Sequence, residues 1–88
     1  MKTIHKTIHL LKTDIQYYRA AERGDKPFEI RLNDRGYQKG DIVNLLPYEE
    51  GGYVEPYDGL KFEITYVIGF QQKENWVVFG IRPFEGEH

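Results

Sequence analysis

The sequence predicts an α+β domain, mainly β, in which five strands curl into a small barrel and one main helix follows the first strand. Three observations predict it. Five separate stretches carry apolar residues at every second position, the period of a strand with one buried face. One stretch carries them at helical spacing between a capping box and a glycine stop. The 88 residues suffice for a single domain over 1–88, with a core at about 4–83, and are too few for a second. A flat sheet of this size would leave much of its apolar face wet, so a curled one is expected. The core is small, which makes a shallow surface groove a better place for function than a deep internal pocket.

Over 3–11, Ile4, Ile8 and Leu10 alternate with Thr3, His5, Thr7 and His9, which predicts a first strand with the apolar set inward. Thr13 followed three residues later by Gln16 reads as a capping box, and Gly24 as a left-handed stop, so a helix is expected over 13–23. On it Tyr17 and Tyr18 diverge by about 100°. One can enter the core while the other faces out; Tyr18 shares a stripe with Ile15, which favours it for the core, but the sequence leaves the choice open. Strand two spans 28–32, with Phe28, Ile30 and Leu32 as its apolar face and Glu29 and Arg31 as its ionic face; Pro27 stands at its entrance, where a missing donor does least harm. Asn33 to Gly40 is turn-forming, and a third strand follows over 42–46.

Residues 47–59 break the pattern with Gly51, Gly52, Pro56 and an Asp58-Gly59 pair, and predict a long excursion. Strand four over 60–68 places Phe62, Ile64, Tyr66 and Ile68 on one side. Strand five over 76–82 buries Val77, Phe79 and Ile81, with Trp76 read as core.

With 40% hydrophobic and 30% charged residues the chain is an ordinary globular one. No apolar run nears the ~18 residues that span a bilayer, and the first twenty residues lack the segments of a signal peptide, so a cytoplasmic chain without a membrane partner is expected. The absence of cysteine excludes disulfides, thiol nucleophiles and thiolate metal sites. His5 and His9 would chelate on a helix, but on a strand they stand roughly 13 Å apart at ~3.3 Å per residue, so no metal and no cofactor are expected. A net charge of −2 argues against a nonspecific coater of duplex DNA. The charge is uneven, however: residues 1–44 hold nine Lys and Arg against six Asp and Glu, while 45–88 hold three against eight. The N-terminal half can therefore offer a face to an anion.

The stretch Gly24-Asp25-Lys26-Pro27-Phe28-Glu29-Ile30-Arg31 is the most informative. Alternation puts Glu29 and Arg31 on one face, with Lys26 at its entrance. By itself this is a solvated strand face whose ion pairs are worth ~0–1 kcal/mol. Gly24, Lys26, Glu29 and Arg31, however, match the G-x-K-x-x-E-x-R signature of ASCH domains, the activating-signal-cointegrator-like relatives of the PUA RNA-binding barrel. His9-Leu10-Leu11-Lys12, Tyr17-Tyr18, Asn33-Asp34-Arg35, Gly40-Asp41 and Thr65-Tyr66-Val67 extend the match, and the chain resembles a bacterial and phage ASCH-like subfamily of unknown function.

The resemblance implies a PUA-like barrel with a cleft beside the helix, lined by the signature residues, that binds RNA or a nucleotide. Lys26 and Arg31 would hold phosphate or carbonyl oxygens, and Glu29 would accept from a base amine or ring N–H. His9 and Lys12 would line the same cleft. Asn33, in a turn its side chain also suits, would join the binding residues, and Arg35 and Lys39 would border the cleft as phosphate contacts.

Two other functions stand beside this one. A branch of ASCH proteins hydrolyses the acetamide of acetylated cytidine with a motif lysine, a hydroxyl residue three positions on and a later glutamate. Lys26 aligns with that lysine, but the hydroxyl position holds Glu29, so catalysis is not the expectation; Glu63 would be the second carboxylate of such an enzyme. Alternatively, the acidic loop 48–59, with Tyr48, Tyr53 and Tyr57, would serve as a lid or as a surface for a protein partner.

Overall fold

The computed structural model describes residues 7–54, 59–69 and 74–84. The expected first-strand residues 3–6, His5 among them, and Tyr57 and Asp58 of the loop lie outside the described residues. Strand β1 (Ile8–Asp14) runs straight into helix α1 (Ile15–Arg23), followed by β2 (Phe28–Leu32), β3 (Ile42–Glu49), the two-residue β4 (Gly52–Tyr53), β5 (Leu60–Ile68) and β6 (Trp76–Pro83). One sheet holds them all, in the order β1-β3-β5-β6-β2, with β4 paired to β3 off this path. Among the described strands only β1 and β3 pair in parallel, as the helical crossover between them allows.

The molecule is thus mainly β with one helix, and its five long strands curl into a half-barrel. Its inner face is filled by Leu11, Val43, Leu45, Ile64 and Phe79, all but fully buried, and α1 packs Ala21 into the same core beside β1 and β3. The curl brings the two sheet edges, β1 and β2, opposite each other with no backbone ladder between them. That seam is where the signature residues sit.

Strand existence follows the sequence closely, strand orientation less so. In β1 the buried side chains are His9, Leu11 and Thr13, while Ile8 and Leu10 face out. In β2 it is the ionic set that turns inward, with Glu29 buried and Phe28, Ile30 and Leu32 exposed. Both inversions share one cause. A period of two fixes which residues lie together but not which set meets the core, and a one-residue choice flips them all. In β5 a bulge between Ile64 and Tyr66 inserts Thr65, so Val67 packs on the core while Tyr66 and Ile68 point out, against the expectation of one uninterrupted face.

The helix begins two residues later than expected. Asp14, not Thr13, is the N-cap, its Oδ1 accepting from the Gln16 N–H at 3.0 Å. Thr13 is instead the last inward residue of β1. At the other end Gly24 takes φ 85°, the left-handed stop the sequence predicts, and its N–H caps Ala20 and Ala21 carbonyls. Tyr18 packs against the core and Tyr17 faces out, which decides between the two rings that the sequence left open. Trp76 is not core: it is partly exposed on the outer side of β6. The excursion is shorter than predicted, because β3 continues to Glu49 and turns back through β4. No helix among the described residues is long and apolar enough to cross a membrane.

Candidate functional site

The seam between β1 and β2 opens into a groove of about 720 Å³, walled by Leu11–Asp14 on one side and residues 28–32 on the other. Tyr17 of α1, Lys26, Asp34, Arg35, Tyr37 and Trp76 complete it. Its chemistry begins at the helix C-terminus. The N–H groups of Asp25 and Lys26 both donate to the Ala20 carbonyl, which ties the chain to the last helical turn and delivers Lys26 to the groove mouth. Beyond Pro27, the alternation of β2 aims Glu29 and Arg31 inward.

Glu29 is only 3% exposed, and both its oxygens are engaged. Lys26 Nζ donates to Oε2 at 2.7 Å and to the Phe28 carbonyl at 2.8 Å, while Arg31 Nε donates to Oε1 at 3.1 Å. A buried carboxylate is tolerable in this setting because each oxygen accepts a charge-assisted hydrogen bond. The two cations remain partly exposed on the groove side.

Arg31 then reaches across the seam. Its Nη2 donates to Thr13 Oγ1 at 3.1 Å and its Nη1 to the Lys12 carbonyl at 3.3 Å, and Thr13 passes the link on to the Leu11 carbonyl at 2.9 Å. Arg35 does the same one step along, donating to the Leu10 carbonyl at 3.0 Å. Two guanidinium groups therefore span an edge that no ladder closes.

Aromatic rings line the same space. Lys26 Nζ lies 5.8 Å from the Tyr17 ring centroid and 5.4 Å from that of Phe28. Tyr37 forms part of the wall, stacked at 4.7 Å on Phe79. Burial pushes its phenol above the usual value near 10, with Arg35 and Arg31 acting against the shift. At neutral pH it is therefore a hydroxyl donor.

A family model described as "Domain of unknown function (DUF3850)" matches residues 8–81, from the first described strand to the last. The chain belongs to the DUF3850 family. No curated protein matches it. Every residue of the groove lies inside the matched span, so the groove belongs to the DUF3850 fold and not to its flanks.

Of the residues singled out in the sequence, the DUF3850 structure brings Lys26, Glu29, Arg31, Arg35 and Lys12 to the groove. Lys12 stands at the rim with Nζ 4.4 Å from the Tyr48 ring. His9 does not line it. Its Nε2 meets Asp41 Oδ2 at 2.9 Å and its ring stacks at 4.8 Å on Tyr37, so it lies behind the groove wall, clamping β1 to the turn before β3. Asn33 is also structural: its Oδ1 accepts from the Tyr37 N–H, holding the turn that presents Tyr37. Lys39 is exposed and does not line the groove.

Glu63 pairs across strands with Arg82 at 3.1 Å and likewise lies outside the groove. The structure therefore does not place a second carboxylate from β5 beside Lys26. Tyr48 and Tyr53 stack on each other edge to face at 5.6 Å, so this part of the loop is a packed hairpin. Among the described residues no three His, Cys, Asp or Glu side chains gather within reach of one metal ion.

The sequence reading missed Thr13 and Tyr37. Thr13 was legible only as a cap, and Tyr37 stands between two turn glycines with no period to place it.

Proposed function

We propose that this DUF3850 domain is an ASCH-like, PUA-related barrel that binds single-stranded RNA or a nucleotide in the seam groove, without catalysis of its own. The observation that carries the reading is the convergence of Lys26, Glu29 and Arg31 on one open groove that also holds aromatic faces. Cations beside exposed rings are the chemistry of single-strand binding: rings stack bases at ~1–3 kcal/mol each, and guanidinium and ammonium groups take phosphate oxygens. Glu29 aligns the two cations, each of its oxygens accepting from one of them.

Fluorescence anisotropy with labelled single-stranded RNA homopolymers tests the reading. With about three phosphate contacts the log–log salt slope should be near −2. Arg31→Ala should weaken binding by about tenfold or more, since it removes both a phosphate donor and the seam link. Glu29→Gln should change the preference among the four homopolymers. Binding that Arg31→Ala leaves unchanged would overturn the assignment of the groove.

A further inference from the structure

Three polar side chains that line the seam groove are nearly fully buried: Thr13, Glu29 and Tyr37. Two of them are engaged within the protein. Glu29 accepts from Lys26 and Arg31, and Thr13 accepts from Arg31 while donating to the Leu11 carbonyl. Tyr37 differs. Its backbone N–H donates to Asn33 Oδ1, but its phenol hydroxyl has no hydrogen-bond partner among the described residues. A hydroxyl on a buried ring is short of a bond until something outside the protein supplies one. The charges that act on it are those of Arg35, Arg31, Asp34 and Glu29, all of them groove residues, so the hydroxyl stands on the groove side.

The ring is held too firmly to turn elsewhere. It stacks on Phe79 at 4.7 Å and on His9 at 4.8 Å, and His9 is itself held by Asp41 at 2.9 Å. With Asn33 fixing the backbone, the direction of the donor is set before a ligand arrives, which is what a selecting contact requires.

We propose that the Tyr37 hydroxyl selects the base in the seam groove by donating to a carbonyl oxygen, so that uracil and guanine are favoured over adenine and cytosine. This rests on the reading of the groove as a site for single-stranded RNA or a nucleotide. At the edge where uracil and guanine carry a carbonyl oxygen, cytosine and adenine carry an amine. A carbonyl oxygen has two lone pairs, so it can accept from Tyr37 and from a neighbouring guanidinium together; each terminal nitrogen of Arg31 has a second hydrogen beyond those given to Lys12 and Thr13. An amine in the same place turns its hydrogens toward these donors. It also finds no buried carboxylate to take them: both Glu29 oxygens are engaged, Asp14 Oδ1 caps the helix, and Asp34 is exposed beside Arg35. The exposed rings of Tyr17, Phe28 and Trp76 stack on either class of base, and so add affinity without choosing.

Fluorescence anisotropy of the full chain with labelled octamers of uridine and of adenosine, at one salt concentration, tests the proposal. The wild type should bind the uridine octamer about tenfold more tightly, and Tyr37→Phe, which keeps both ring stacks, should erase the preference with unchanged far-UV circular dichroism. Should Tyr37→Phe unfold, a uridine octamer whose bases lack the 4-oxygen should bind the wild type as weakly as the adenosine octamer does. Equal affinity of the wild type for uridine and adenosine octamers, with binding still weakened by Arg31→Ala, overturns this inference and leaves the reading of the groove standing. A preference for uridine that a folded Tyr37→Phe retains overturns it as well. Binding to neither octamer overturns both.

Discussion

A carboxylate as buried as Glu29 persists because its two oxygens accept from Lys26 and Arg31, and because both cations keep part of their surface in water. Removing one partner of a buried pair commonly costs ~3–5 kcal/mol, a figure the partial solvation of these cations reduces. Tyr37 is buried differently, as a neutral group. Its ring stacks on His9 and Phe79, and the desolvated phenol holds its proton more tightly than in the unfolded chain. With the folded pKa above the unfolded one, the stabilisation linked to the proton is complete below about pH 10 and is lost as pH rises through the folded value. Tyr37→Phe keeps the rings and removes the titration. Thermal melts across the alkaline range should show the wild type losing stability more steeply above about pH 10 than Tyr37→Phe does. Parallel losses in the two proteins would show that the phenol is not desolvated in solution.

At the scale of elements, periodicity and caps made the strands and the helix legible: β2 and β5 fall on the expected residues, and Gly24 ends α1 where the stop signal stands. What stayed illegible was direction. Glu29 and Arg31 look like a solvated face because a charge in sequence carries no sign of the partner that awaits it, and here the partners come from 2 to 19 positions away. The signature was legible as a group, and Lys26, Glu29 and Arg31 do meet. His9 was drawn in by its match to the family pattern and Lys39 by its place beyond the ionic strand, and both lie elsewhere for want of a register.

The bulge in β5 had no signal in the alternation, yet it leaves a trace in β6. A Cβ at Gly80 would stand 2.7 Å from Thr65 Oγ1, the residue the bulge inserts. Glycine is thus required opposite the bulge for close approach. Gly80→Ala should cost about 1–3 kcal/mol through overpacking, although alanine is otherwise the better strand residue. Adding Thr65→Ala should recover most of that loss, as read by urea unfolding of the single and double variants. Equal stability of Gly80→Ala and the wild type would place the Thr65 hydroxyl elsewhere.

For the whole molecule, the open seam decides how the sheet responds to solvent. The Ile81 N–H donates to the Pro27 carbonyl and the Asn33 N–H to the Asn75 carbonyl, which sets Glu29 and Arg31 as the residues that exchange ladder bonds with β6. The peptide groups of Phe28, Ile30 and Leu32 therefore face the seam. On the other edge the Ile42 N–H donates to the Thr7 carbonyl, so His9 and Leu11 bond to β3 while Leu10 and Lys12 face the seam. Their carbonyls are the ones Arg35 and Arg31 hold; a guanidinium satisfies acceptors but leaves the amides of the same residues to water. Exchange of amide hydrogens should alternate along both edges as a result. Ile30, Leu10 and Lys12 should exchange quickly, and Glu29, Arg31 and Leu11 should be protected together with β3. Nuclear magnetic resonance on the uniformly labelled chain resolves these amides one by one. Equal protection of the two sets would mean that β1 and β2 pair directly in solution, which closes the barrel and leaves no groove for a ligand to enter.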